Sequence, residues 1–211
     1  MSSLSIGAIM KRIATALATS GLLLLGCAGT AHADTHPPQP VDGCGDGYVR
    51  PALGTHLHYK FKGWSVGSDP DEGSMGIDAP RGWSFVRTPQ AEGRFHSPGG
   101  QDLLSLRELE GAGTPAAEMA AKVETLAGTS GLKVLGEHVK DMGGLGQRWA
   151  TLSYRWNDMG EPRIVKERWI SYGTGPADAA VMVVTVAGRA MDGKGLDAVL
   201  AHVSPTAVLA G

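Results

Sequence analysis

Gln147-Arg148-Trp149-Ala150-Thr151-Leu152-Ser153-Tyr154-Arg155-Trp156 sets Ala150, Leu152, Tyr154 and Trp156 against Thr151, Ser153 and Arg155. Alternation at period two is the mark of a strand with one buried face. Asn157–Pro162 is a turn-rich break. Arg163–Tyr172 follows, β-branched and aromatic with charges interleaved, and is predicted to pair back on the first run as a hairpin. A second break at Gly173–Pro176 leads into Ala179–Ala187, which is nearly all apolar and rich in Val. A run that short, bounded by Gly and Pro, reads as a strand covered on both faces. Three such strands in series predict a twisted antiparallel sheet whose apolar surfaces need helices as cover. The class is α+β, one sheet roofed by two or more helices.

The chain upstream supplies the remaining strands and one helix. Thr55–Trp64 alternates, with Leu57, Tyr59 and Phe61 on one face and His56, His58, Lys60 and Lys62 on the other. A short strand ending at Pro80, then Trp83–Arg87, Gly93–Ser97 and Asp102–Leu109, are further candidates. At Thr114 the period changes. Thr114 is an N-cap, Pro115 suits the first turn, and Met119, Val123 and Leu126 fall on one helical face that Gly128 terminates. Leu132–Met142 returns to strand. After Arg189, Leu196, Val199, Leu200 and Val203 mark a second helix, with Asp192 as its cap and Pro205 as its stop. Thr206–Gly211, uncharged, either frays or fills an edge.

Residues 1–33 read as an export signal. Lys11-Arg12 is the positive region, and Ile13–Gly26, centred on Leu22–Leu25, is an apolar stretch too short to span a membrane. Two cleavage sites compete. Leu24-Leu25-Gly26-Cys27 resembles a lipobox, in which Cys27 would carry a diacylglycerol, although Leu25 is bulkier than the small residue usual there. Ala31-His32-Ala33 is an Ala-x-Ala site. The lipid-anchored reading is preferred, and either route delivers the protein outside the cytoplasm, anchored on the outer face of the membrane or secreted. Residues 34–54 form a Pro- and Gly-rich tether, and 55–211 a single domain. Cys44 is a lone thiol once Cys27 is lipidated.

Composition narrows the function. In 211 residues, 42% are hydrophobic and 19% charged, enough apolar material for a globular core. Removing residues 1–33 takes two cations and no acid, which moves the formal charge from −2 to −4. No clustered basic run points to nucleic acid or to direct attraction by an anionic membrane. Asp42–Gly47 has the spacing of a calcium loop but places Leu53 where a bidentate acid belongs, and it reads as a turn. His56 and His58 project side by side yet lack a third ligand nearby, so no metal or cofactor is expected. Ser130-Gly131-Leu132-Lys133 matches the Ser-x-x-Lys nucleophile motif without its companion motifs, and Gly143–Gly146 lacks the Lys of a phosphate loop. No catalytic residue is assigned. Trp149 sits on the strand face opposite Leu152 and Tyr154, which makes it a candidate to line a ligand surface.

Ala79-Pro80-Arg81-Gly82-Trp83, the helix opened by Thr114-Pro115, Gln147–Trp156 with its aromatic ending, and the helix around Leu196 come in an order that resembles the Mog1/PsbP-like fold, including exported actinobacterial lipoproteins of the LpqN type. The resemblance covers roughly residues 55–208. It implies an α/β/α sandwich and a non-catalytic accessory or binding role. The expected partner is an envelope protein or a small ligand, with the membrane reached only through a lipid on Cys27. Two other readings stay open: a cell-wall hydrolase or transferase whose carboxylates meet in space, and a lipid or glycolipid carrier.

Overall fold

Alternation in 147–187 becomes three long, adjacent antiparallel strands. The computed structural model describes residues 50–66, 73–141, 146–158, 160–173 and 178–210. The export leader with Cys27, the Pro-rich stretch, the 42–47 turn with Cys44, and Asp69–Glu72 lie outside the described residues. In chain order the elements are β1 (Tyr59–Ser65), β2 (Ser74–Pro80), β3 (Ser84–Arg87), β4 (Gly93–His96) and β5 (Leu103–Glu108). After these come α1 (Pro115–Leu126), β6 (Lys133–Asp141), β7 (Arg148–Asp158), β8 (Glu161–Ser171), β9 (Met182–Arg189), α2 (Gly193–Val203) and β10 (Val208–Ala210). Seven strands form one antiparallel sheet in the order β3-β4-β5-β9-β8-β7-β6, and β1-β2-β10 form a smaller one.

Period two divides the large sheet's side chains between two cores. Leu104, Leu106, Ile170, Met182, Val184 and Val186 face α2 (Leu196, Val199, Leu200, Val203) and the small sheet's Trp64, Met75, Ile77 and Ala79. Ala150, Leu152, Tyr154, Val165, Trp169 and Val183 face the other way, toward α1 through Met119, Val123 and Leu126. Strand β9 is covered on both sides, as its apolar run requires. The architecture is therefore α+β, with helices on both faces of an antiparallel sheet. Helix α1 is capped as its sequence dictates. Thr114 Oγ1 accepts from the Ala117 N–H at 3.3 Å, and Glu118 reaches back to accept from the Gly113 N–H at 2.6 Å.

Three local expectations change. Strand β1 begins at Tyr59, so His56 and His58 precede it. The partner strand ends at Pro80 opposite Tyr59, and the chain then turns, with the Arg81 N–H bonded to His58 O at 2.7 Å. Within β1 the inward face is the one carrying Trp64, shared with Lys60 and Lys62, while Phe61 is 54% exposed. Phe61 lies across Gly76, where any Cβ would meet its ring, so a bare backbone shelf holds it outside. At the head of α2, Asp192 occupies the cap position without capping; its carboxylate takes other donors, described below. The chain's last turn resolves toward the second alternative, since β10 fills the free edge of β2.

Candidate ligand-binding groove

Between β1 and the loop from Pro80 to β3 lies an open groove of about 290 Å³, lined by Lys60, Phe61, Lys62, Ala79, Pro80, Arg81, Gly82, Trp83, Phe85 and Phe95. Its floor continues an aromatic cluster. Phe85 and Phe95, paired across β3 and β4, have ring centroids 5.0 Å apart, and Trp64 from the small sheet meets them at 5.3 and 6.1 Å. Such tilted and edge-on contacts lock ring positions beyond what burial alone does. Trp64 Nε1 donates to Ala91 O at 2.9 Å, which ties the small sheet to the β3–β4 turn. Gly93 is required beneath that indole, because a Cβ there would run into the ring. The rim is cationic. Lys62 Nζ stands 5.0 Å over the Phe85 ring, and Arg81 is oriented by its Nε bond to Tyr59 O at 3.2 Å. Apolar rings below three cations can take a flat or aliphatic group with an anionic end.

Two buried polar clusters lie elsewhere. In the first, Asp192 accepts from Arg189 Nε (2.8 Å), Arg189 Nη2 (2.9 Å) and the Leu53 N–H (2.8 Å). Burial alone would raise this carboxyl, but these donors overcome it and hold it below its usual range. Asp102 lies beside it, only 5% exposed, with Oδ1 lacking a hydrogen-bond partner. Burial first, then the Asp192 carboxylate, pushes Asp102 up to about 6. The pair is sealed by residues 50–54, which the sequence places in the tether. Leu53 packs on the α2-side core, and Arg189 donates to Arg50 O and Pro51 O at 3.1 and 2.9 Å.

The second cluster sits under α1. Tyr154 Oη donates to Glu167 Oε1 at 2.7 Å, and Lys122 Nζ pairs with the same oxygen at 3.1 Å. Burial, reinforced by the adjacent Glu167 carboxylate, raises the Tyr154 phenol. The three form a closed, internally neutralised set.

No protein-family model matches the chain, and no curated protein matches it. Among the solved structures similar to it are two proteins of known kind. LpqN of Mycobacterium tuberculosis, described as involved in cell envelope biogenesis, is 16% identical with a TM-score of 0.47, covering 73% of this chain and 92% of that one. The cyanobacterial PsbP of Synechocystis sp. PCC 6803 is 16% identical with a TM-score of 0.40, covering 78% of this chain and 98% of that one. Both are of the kinds named by the resemblance drawn from the sequence. The α+β architecture itself rests on the strands and helices described above.

Trp149 is placed on the face opposite Leu152 and Tyr154, as its register position implies, but it is 6% exposed and lies beneath the Arg168 guanidinium, 4.4 Å from its ring centroid. Among the described residues no group of three His, Cys, Asp or Glu side chains is arranged to hold a metal ion, and no helix is long and apolar enough to cross a membrane. Sequence reasoning missed the groove. Its signal was the parity of Lys60, Lys62 and Trp64, which puts two cations on the same strand face as a core aromatic. It also missed Glu167, whose signal was a charge at the parity of Val165 and Trp169.

Proposed function

We propose that this is an exported, non-catalytic binding protein of the cell envelope that holds a small ligand in the groove between β1 and the Pro80–Phe85 segment. The observation that carries the reading is the groove's composition, an aromatic floor of Trp83, Phe85 and Phe95 under the ends of Lys60, Lys62 and Arg81. Its volume, at the lower end of the range for small-molecule sites, suits one ring or a short aliphatic segment with an acidic group. The export address rests on the leader read from residues 1–33, with Cys27 or Asp34 as the first mature residue.

The other two readings fit the geometry less well. A hydrolase needs two carboxyls facing a substrate. Asp102 and Asp192 face each other at 5% and 0% exposure beneath residues 50–54, where a glycan has no entry. A carrier of long-chain lipid needs an enclosed apolar chamber, and the groove is shallow and open to solvent.

Trp83 offers a direct test. Hexyl phosphate, titrated below its micellar concentration, should change the tryptophan emission saturably, and hexyl glucoside should do so more weakly. Trp83→Phe should remove the response, and Lys62→Gln with Arg81→Gln should weaken the phosphate ligand at least tenfold. A linear, unsaturable response that survives Trp83→Phe would defeat the reading. Mass spectrometry of the mature N-terminus decides separately between anchored and released forms.

A further inference from the structure

Arg168 stands on the α2-facing side of β8, half-buried, and each of its protein partners is neutral. Its Nε donates to Thr151 Oγ1 at 2.9 Å, and its Nη1 donates to Ser204 Oγ at 3.0 Å and Leu200 O at 3.4 Å. The guanidinium lies flat on a buried indole, Trp149, at 4.4 Å. Among the described residues no carboxylate pairs with it and nothing accepts from Nη2. The one acid that acts on it through space, Asp197, is held by Lys166. Burial pulls this guanidinium down to about 10. A cation withdrawn from water without a counter-charge is unfavourable, and its position is fixed by packing and three hydrogen bonds.

The pairing register extends the positive character across the sheet. Lys140 lies across from Trp149, His138 from Thr151, and Lys133 from Arg155, so all share the Arg168 face. Glu137 lies across from Leu152 and belongs to the other face. None of Lys133, Lys140 and Arg155 has an acidic partner among the described residues. Helix α2 packs on β9 and β8; beyond it on this side Lys133, His138, Lys140 and Arg155 are exposed, while Trp149 is buried. In a chain of net charge −2, the cations Lys133, Lys140, Arg155 and Arg168 thus stand together on one half-face.

We propose that Arg168 and Lys140 form an oxyanion-binding site, in which the free Nη2 edge and the Lys140 ammonium take a carboxylate or phosphoryl oxygen beside the Trp149 ring. Lys140 is the strand neighbour of the ring on which the guanidinium rests, and its four-carbon stem spans the strand spacing. Charge complementarity sets the ligand class, and the two oxyanion sources are separable by experiment. The site lies toward the β6 end of the sheet, away from the groove beside β3, and does not depend on it.

The test is an NMR titration of the 15N-labelled protein at constant ionic strength, reading the Trp149 indole N–H and the Arg168 Nε–H. The probes are inorganic phosphate and, separately, a hexaglutamate peptide. A saturable shift at millimolar phosphate assigns the phosphoryl source, and one with hexaglutamate alone assigns the carboxylate source. In either case Lys140→Gln should weaken binding threefold to tenfold, and Arg168→Lys should remove the saturable shift. Lys140 is exposed, so K140Q keeps the question answerable if R168K loses its cooperative melt. Shifts that never saturate, or that saturate equally in wild type and K140Q, overturn the proposal.

Discussion

Replacing Asp102 by Asn should make the protein more stable at neutral pH and leave it nearly unchanged at pH 4. Asp102 is held up at about 6, against 3.8 for a free side chain, first by burial and then by the neighbouring Asp192. A raised carboxyl favours the folded state only while protonated. Its contribution is fully present below about pH 4, where both states hold the proton, and is lost as pH rises through about 6. Asp192 has the opposite sign. It is held low, so its contribution is present above about pH 4 and is lost only on further acidification. Between pH 4 and 6 the Asp102 effect therefore dominates at this site. A shift of about 2 units corresponds to roughly 3 kcal/mol at most. The two carboxyls titrate together, so about 1.5 kcal/mol is expected from Asp102 itself. Asn keeps the shape and offers the same kind of donor to Asp192 at every pH. For a domain of this size the gain is about 3–6 °C in Tm at pH 8, vanishing near pH 4. The assay is thermal unfolding of both proteins from pH 4 to 8, read as the difference, which cancels every other titrating group. A difference that stays flat across that range would refute the raised Asp102 carboxyl.

Gly93→Ala places a methyl group inside the Trp64 ring's position and should lower stability by about 2–4 kcal/mol in urea denaturation, since neither the indole, bonded to Ala91 O, nor β4 can move freely. Tyr154→Phe leaves the buried Glu167 with Lys122 alone; loss of a hydrogen bond to a charged group predicts about 1.5–3 kcal/mol, and Tyr154→Phe combined with Glu167→Gln should cost less than the two separate losses added.

What the sequence made legible is what local pattern controls. The 147–187 strands, the Thr114-capped helix and the helix around Leu196 are visible because apolar period, caps and breakers all lie within a few residues of one another. The face of β1 was not legible, because its inward side is decided by Gly76 on the next strand: the bare backbone there leaves Phe61 an outer shelf. The groove and the Asp102–Asp192 pair were hidden for a related reason. Lys62 and Phe85, or Asp102 and Asp192, are far apart in the chain and meet only through sheet order. The cationic half-face was masked by the totals. Net charge counts Glu137 and Lys140 together, whereas the pleat sends them to opposite sides.

The buried charges sort by who answers them. Arg189 and Asp192 answer each other, and Lys122 answers Glu167 and rests 6.0 Å from the Tyr154 ring; these sets are closed, and removing a member leaves a buried charge exposed to the core. Arg168 and Lys62 are met by rings and neutral oxygens instead, Trp149 and Thr151 for one and Phe85 for the other. A ring attracts a cation without neutralising it, so each keeps its capacity for an anion. Both stand on the α2 side of the large sheet, Lys62 over Phe85 of β3 and Arg168 on β8, while the closed Tyr154–Glu167–Lys122 set occupies the α1 side. Arg168 and Lys62 are therefore the two positions at which the proposed anion binding is to be tested.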